Sequence, residues 1–465
     1  MRSFPCAPQR CAGQALVPAL ALLGLCGIAW VGMYNVGQTA AARTRLTHAA
    51  DAAAYSAALA QARALNLLAY VNRAQVAHQV AMAHLVTLAS WAQFSGTQAQ
   101  RRAMGNPPAY LIGALFGEKA LQGYASAQAT SSMAQQFARR HQEHDALVHD
   151  TLVQVARRQV GQLPAQRAAM LRAVLQANYP EWGRAAGGAS GSDHAAGPRY
   201  RMLDDNWAGF VKAQPGHRAD GVSQMVRTAA ARYAFLRPRD ITRRGSWIVH
   251  RQCPEKRHEF RRRGTTQMDA RGRWSATDTL SYHAVRRNNT IGCYFREYAT
   301  GWGLAGNVAG TPVERAPEDF SQEDFWRWVD KNTAWDIFGG QSNPLATAYA
   351  GMARVSVAGR GLPDFHEAAS DRADAPLRLA IAVRQDAAEL PVSGGASSVA
   401  VAGRHGWRAL RGGSLTVAAA AETFFSRPQA REDGRDELAT LFRPYWQARR
   451  AAVTAQELAT ARTQP

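Results

Sequence analysis

Between Arg10 and Arg43 the chain carries no charged residue, and residues 14–34 are almost wholly apolar. At 1.5 Å rise per residue, roughly 20 residues cross the ~30 Å hydrocarbon layer of a bilayer. This pattern predicts a transmembrane helix over residues 14–36, behind a short tail of residues 1–13. Past it the chain stays helical but becomes amphipathic. Leu46, Ala49, Ala50, Ala53, Ala57 and Ala60 recur at spacings of three and four, which sets a stripe of small apolar side chains on one helix face. Residues 37 to about 96 contain no Pro and interleave Arg43, Arg45, Asp51, Arg63 and Arg73, so they read as one long helix leaving the membrane. Small residues permit close approach, and the helix is expected to pack tightly on a partner element.

A cleaved secretory signal is the rival reading of the apolar run. Signal cores are about 7–15 residues long and end at small residues. Ala40, Ala41 and Ala42 fit such an end, but the run is longer and the helical period continues through it, which favours a retained anchor. Leu25 before Cys26 does not suit a lipoprotein cut.

Gly105-Asn106-Pro107-Pro108 breaks the long helix. A second helical stretch is expected over 111–161, and a third from Pro164, a residue suited to a helix's first turn, to just before Tyr179-Pro180. Residues 37–182 thus read as a helical hairpin or small bundle. Residues 183–199, GRAAGGASGSDHAAGPR, read as a linker. Beyond it, Ser246–His250, Thr279–Ala284, Thr290–Tyr298, Ala353–Ala358, Leu377–Val383 and Ser414–Ala418 look like strands, while Phe320–Trp328 and Glu437–Ala459 look helical. The expected fold class is α+β: a single transmembrane helix, the helical region, an α+β head domain over 200–430, and a C-terminal helix and tail over 431–465.

With 465 residues, 46% of them hydrophobic, the chain has enough apolar material for two or three packed units. The net charge of +20 is carried by arginine, since only Lys119, Lys212, Lys256 and Lys331 are lysines. Such a skew follows from a GC-rich genome and does not by itself identify a polyanion partner. A basic surface nevertheless attracts anionic lipid headgroups, wall polymer or nucleic acid. Arg2 and Arg10 before the anchor nearly balance Arg43 and Arg45 after it, so charge decides the orientation weakly. The short tail and long following region favour a cytoplasmic tail.

Cys6, Cys11 and Cys26 lie in or before the apolar run, whereas Cys253 and Cys293 lie far downstream. In an exported region the latter two are a candidate disulfide, closing a loop of about 40 residues for roughly 3–4 kcal/mol in the chain-entropy picture. Two free thiols, or zinc held with His258 and His283, are the alternatives, although no tight CxxC pair is present. GxSxG, SxxK, P-loop and dinucleotide fingerprints are all absent, so no catalytic residue or cofactor is assigned. His366-Glu367-Ala368-Ala369-Ser370 begins like a zinc-protease helix but has Ser where the second His belongs. His141, Asp145 and His149 align on one helix face, either as metal ligands or, the commoner outcome, as a solvated polar face beside Arg139 and Arg140. The run from Arg251 to Arg263, near Trp247 and Trp274, suits phosphate contacts and stacking, or a solvated loop or strand edge.

Gly13-Gln14 at the head of the apolar run, the uninterrupted helix, and Leu46-x-x-Ala49-Ala50-Asp51-Ala52-Ala53-Ala54 together resemble the N-terminal segment of the TadE/TadG-like proteins of bacterial Flp (tight-adherence) pilus systems. Near the other end, Leu441 to Arg449 (LFRPYWQAR) is similar to an ending of large TadG-like chains. The resemblance implies a non-enzymatic, pseudopilin-like accessory component of the inner membrane, its bulk periplasmic and its partners other pilus-assembly components. Processed family members are cut after a glycine and carry Glu at the fifth mature position. Gly13 and Gln14 fit the cut, but Pro18 stands where Glu is expected, which points to a permanent anchor. No DxSxS occurs, so the metal-binding adhesion module of some TadG-like chains is not implied. The alternative is an exported Arg-rich binding module that contacts cell-wall polymer or nucleic acid.

Overall fold

The structure is a computed structural model that describes residues 15–105, 107–128, 131–180, 198–216, 220–246, 257–288, 292–306, 355–357, 359–369, 374–393 and 413–463. It is a mixture of helix and sheet. The helices are α1 (Leu16–Ala103), α2 (Ala109–Phe116), α3 (Glu118–Ala125), α4 (Ser131–Ala146), α5 (Val153–Asn178), α6 (Asp220–Ala230) and α7 (Ala455–Thr463). A π-helical segment, Leu147–Leu152, joins α4 to α5. The strands are β1 (Arg199–Asp205), β2 (Val211–Gln214), β3 (Ile241–Ser246), β4 (Arg257–Met268), β5 (Trp274–Asn288), β6 (Gly292–Ala305), β7 (Phe365–Ala368), β8 (Leu377–Asp386), β9 (Ser414–Phe425) and β10 (Trp446–Ala451). The chain forms two compact units, each assembled from separate stretches of sequence.

The first unit comprises Met1–Leu67, Gln159–Lys212 and Ala368–Pro465. Its antiparallel sheet has the order β1-β8-β9-β10. Most of the stripe anticipated on α1 is its core: Leu46, Ala49, Ala50, Ala53 and Ala57, with Ala54 beside them, are buried against Leu379, Ile381 and Val383 of β8 and Ala419 and Ala421 of β9, while Ala60 is only half-buried. Because the helix presents methyl groups, its backbone comes close enough for Thr423 Oγ1 to donate to the Ala58 carbonyl at 2.8 Å. Antiparallel to α1 runs α5, which adds Leu171 and Leu175 to the same core; Arg45 reaches the Asn178 carbonyl and Arg167 reaches Gln61. Against β9 and β1 lies α7, whose Glu457 takes two hydrogen bonds from Arg378.

The second unit comprises Leu68–Arg158 and Ala213–Glu367. Here β3-β4-β5-β6 form an antiparallel meander, and the later turns of α1 lie on it. Phe94 joins Ile112, Phe116, Tyr124, Phe260 and Leu280 in the core. Gly301 and Gly303 share one face of β6, as alternate strand residues do. A Cβ on Gly303 would run into the Ser90 carbonyl oxygen, and one on Gly301 would stand 3.0 Å from Gln98 Cβ. This approach lets Thr97 Oγ1 donate to the Trp302 carbonyl and accept from the Trp302 amide, while Gln93 accepts from the Leu304 amide.

Three expected elements differ. The helix expected over 111–161 is interrupted at Gly117, which has a positive φ, and again after Ala125. A helix was expected over Glu437–Ala459, but Trp446–Ala451 is the edge strand β10, paired with β9 from Trp446↔Phe425 to Ala451↔Ala420. Its Trp446 is buried edge-on to Phe210 and Phe425, and this packing outweighs the local helix propensity of Gln-Ala-Arg-Arg-Ala. Pro164 does not begin a helix either; α5 continues through it. Leu163, Arg167, Leu171 and Leu175 are buried at successive i+4 positions, so packing on one face holds the helix despite the missing N–H. The linker residues 183–197 and Phe320–Trp328 lie outside the described residues, as do parts of the expected strands Ser246–His250 and Ala353–Ala358.

The glycine contact gives a sharp stability test. Gly303→Ala should lower stability by about 1–3 kcal/mol through overpacking, whereas Gly24→Ala, with no atom within 4 Å of its added Cβ and a helical backbone that favours Ala, should not lower it. Thermal unfolding of the two variants in the same detergent checks both outcomes.

Candidate functional site

The feature least explained by the fold is the first third of α1. Leu16, Val17, Leu20, Leu22, Leu23, Leu25, Ile28, Trp30 and Met33 are all more than half exposed. This helix is long and apolar enough to cross a membrane. Within it Asn35 is buried and doubly held: its side chain donates to Ser393 Oγ at 2.6 Å and accepts from the Ser393 amide at 2.7 Å, while Val36 is again exposed. From Leu46 onward one face of the helix enters the core of the first unit. Asp51, the acid within the Ala-rich motif, takes a hydrogen bond from Arg450 of β10, while Ala49, Ala50, Ala53 and Ala54 around it are buried. Gly13 and Gln14 lie outside the described residues.

His141, Asp145 and His149 do share one face, but the face is neither a metal site nor solvated. Among the described residues no three His, Cys, Asp or Glu side chains converge on a cation position. His141 and Asp145 are buried, and Arg360 fills the place a cation would take. Its backbone N–H and Nε donate to the two Asp145 oxygens at 3.0 and 2.7 Å, and Nη1 and Nη2 donate to Asp150 at 2.6 and 3.0 Å. Asp145 and Asp150 are five residues apart, and the wider π turn between them brings both carboxylates to the same guanidinium. Burial pushes the His141 imidazole down to about 4, the nearby Asp145 opposing and His144 adding to the shift. His78 faces His144 with their Nδ1 atoms 2.6 Å apart, and its pKa is also lowered, by burial first and His144 second.

The other candidates take structural places. His366 lies in strand β7, not a helix; strand alternation leaves His366 buried and Glu367 exposed, so they cannot act as a zinc-protease pair. Cys253 lies outside the described residues, and no disulfide occurs among the described residues. Cys293 is placed by its backbone opposite Arg287, whereas His283 stands opposite Glu297 and Glu259. Those two positions are four residues apart along β5, about 13 Å, too far for a shared zinc. His258 is buried beside the Tyr282 hydroxyl. Of the basic run, Arg251 and Lys256 lie outside the described residues. Arg261 is tied to Glu259, and Arg262 gives one of its nitrogens to Asp278.

One buried cluster carried no sequence signal. Asp278 in the middle of β5 is fully buried and serves two arginines: Arg239 donates to it at 2.9 and 3.0 Å and Arg262 at 3.2 Å, while Ser90 of α1 adds a hydroxyl donor at 2.8 Å. An acid within an otherwise strand-like run was its sole trace. No protein-family model, curated protein or solved structure matches this chain.

His141 fixes the sign of one pH response. A histidine whose folded pKa is depressed stabilises fully above its unfolded value near 6.5 and loses that contribution as pH falls toward about 4. At pH 5 the loss from His141 alone should be on the order of 2 kcal/mol. Urea unfolding at pH 7.5 and 5 should show it, and His141→Gln should flatten the dependence. In the second cluster, Asp278→Ala, which leaves two arginines uncompensated, should cost about 3–5 kcal/mol in the same assay.

Proposed function

We propose that the protein is a membrane-anchored, non-enzymatic assembly component, with residues 14–36 spanning the bilayer and the bulk of the chain on one side of it. The observation that carries this reading is the change along a single helix: an apolar stretch of about 20 residues with no packing partner among the described residues, then the buried Asn35, and from Leu46 a face of alanines sealed on a sheet. An exposed apolar surface of this extent marks a partner or a lipid phase, and its length matches a bilayer. Such a helix, half in lipid and half carrying a folded head, is the working design of pilin-like proteins. Together with the TadE/TadG-like pattern of residues 13–80, it supports a pseudopilin-like accessory role in an Flp/Tad pilus or secretion assembly, anchored in the bacterial inner membrane with its bulk periplasmic. The alternative of an Arg-rich module for wall polymer or nucleic acid is weaker, because Arg261 of the basic run is tied to the buried Glu259 and Arg262 is drawn inward to Asp278.

Membrane fractionation tests the anchor. The full chain should sediment with membranes through a high-salt and carbonate wash and yield its bulk to protease added from the periplasmic side. Leu22→Arg with Leu25→Arg, at about 2.5–3.5 kcal/mol for each mid-bilayer charge, should release most of it. A wild-type chain recovered in the cytosolic fraction contradicts the proposal.

A further inference from the structure

Within the second unit, α1, α3 and the β3–β4 part of the meander enclose a semi-open cavity of about 370 Å³. That volume lies within the range of small-molecule sites. Its deep wall is aromatic: Tyr124 and Phe260 are buried there and meet edge to face at 6.3 Å. Its upper wall is cationic. The Arg262 guanidinium sits 4.1 Å from the Phe94 ring and 5.0 Å from the Trp91 ring, and Arg243 and Lys119 also line the space. No acid lines it among the described residues.

The charge at this wall is only partly compensated. Asp278 is the acid on Arg262, and it is shared with Arg239, which holds it with two shorter hydrogen bonds. One carboxylate therefore answers two guanidinium groups. Only Nη2 of Arg262 is engaged with Asp278; its Nε and Nη1 have no hydrogen bond among the described residues. Arg243 and Lys119 have no ion pair among the described residues either. A guanidinium with two open donors, lining an apolar, ring-walled space, is suited to a planar carboxylate head on a flat apolar body.

We propose that this cavity binds a small aromatic carboxylate, its ring against Phe260 and Tyr124 and its carboxylate on Arg262, with Arg243 and Lys119 at the rim. Gly123 offers a way to close the space without dismantling the fold. It lies on α3 at the cavity, nothing stands within 4 Å of a Cβ added to it, and a side chain there also favours the helix.

Calorimetric titration of the full chain in phosphatidylcholine nanodiscs with 2-naphthoate, corrected for empty nanodiscs, tests the proposal. The expected result is saturable binding with a Kd below about 1 mM, weakened about tenfold or more for the neutral 2-naphthamide. Gly123→Leu should abolish it with no loss of thermal stability, and Arg243→Gln, an independent rim variant, should weaken it and reduce its salt dependence. Equal affinity for acid and amide, binding undiminished in both variants, or no saturable heat would overturn the proposal.

Discussion

Everything in this chain depends on how closely α1 lies on β-sheet. In the first unit the contact is made by methyl groups, Ala49, Ala50, Ala53, Ala54 and Ala57 on the flat face of β8 and β9. In the second unit the economy is reversed: the strand gives up its side chains, at Gly301 and Gly303, and the helix keeps Ser90, Phe94 and Gln98. Either way the backbones come near enough for polar groups to bond across the interface, Thr423 to the Ala58 carbonyl in one case and Thr97 to both backbone groups of Trp302 in the other. Interiors packed at crystal-like density tolerate little added volume, so one methyl on the wrong residue would displace a hydrogen-bond ladder along with the helix.

A second constraint is charge. The chain carries 20 more basic than acidic residues, so its acids are scarce and repeatedly shared. Asp278 takes Arg239 and Arg262, Glu259 takes Arg244 and Arg261, and Glu422 takes Arg378 and Arg449. Buried carboxylates that anchor guanidinium groups give orientation more than net stability. The sharing also explains why a basic sequence run is a poor guide to a polyanion surface: Arg261 turns to the buried Glu259 and Arg262 to the buried Asp278.

The long helix and the α+β class were legible because their signals are local. An apolar run without charge, a three-and-four alanine stripe and the Gly105–Pro108 break are all properties of neighbouring residues, and α1 ends at Ala103. Leu377–Val383 and Ser414–Ala418 were likewise readable as strands. What escaped depends on partners far away in sequence. Trp446–Ala451 is a strand because β9 offers an edge and Phe210 and Phe425 a pocket for Trp446. Helix α5 survives Pro164 because of what it packs on, and the face of His141 and Asp145 is buried because Arg360, over 200 residues later, lies against it. Nor does local pattern reveal that stretches so distant are gathered into two compact units.

The central claim is that one continuous helix changes its surroundings from lipid to protein at Asn35. Spin labels placed singly along residues 16–60 of the full chain in nanodiscs measure this through accessibility to oxygen and to a water-soluble nickel reagent. The account predicts oxygen accessibility on every side of the helix from Leu16 to Met33, then a helical alternation of shielded and accessible positions from Leu46 onward, with no break between them. Labels at Leu20 to Ile28 that meet nickel as freely as surface sites, or a non-helical interval around Asn35, would contradict it.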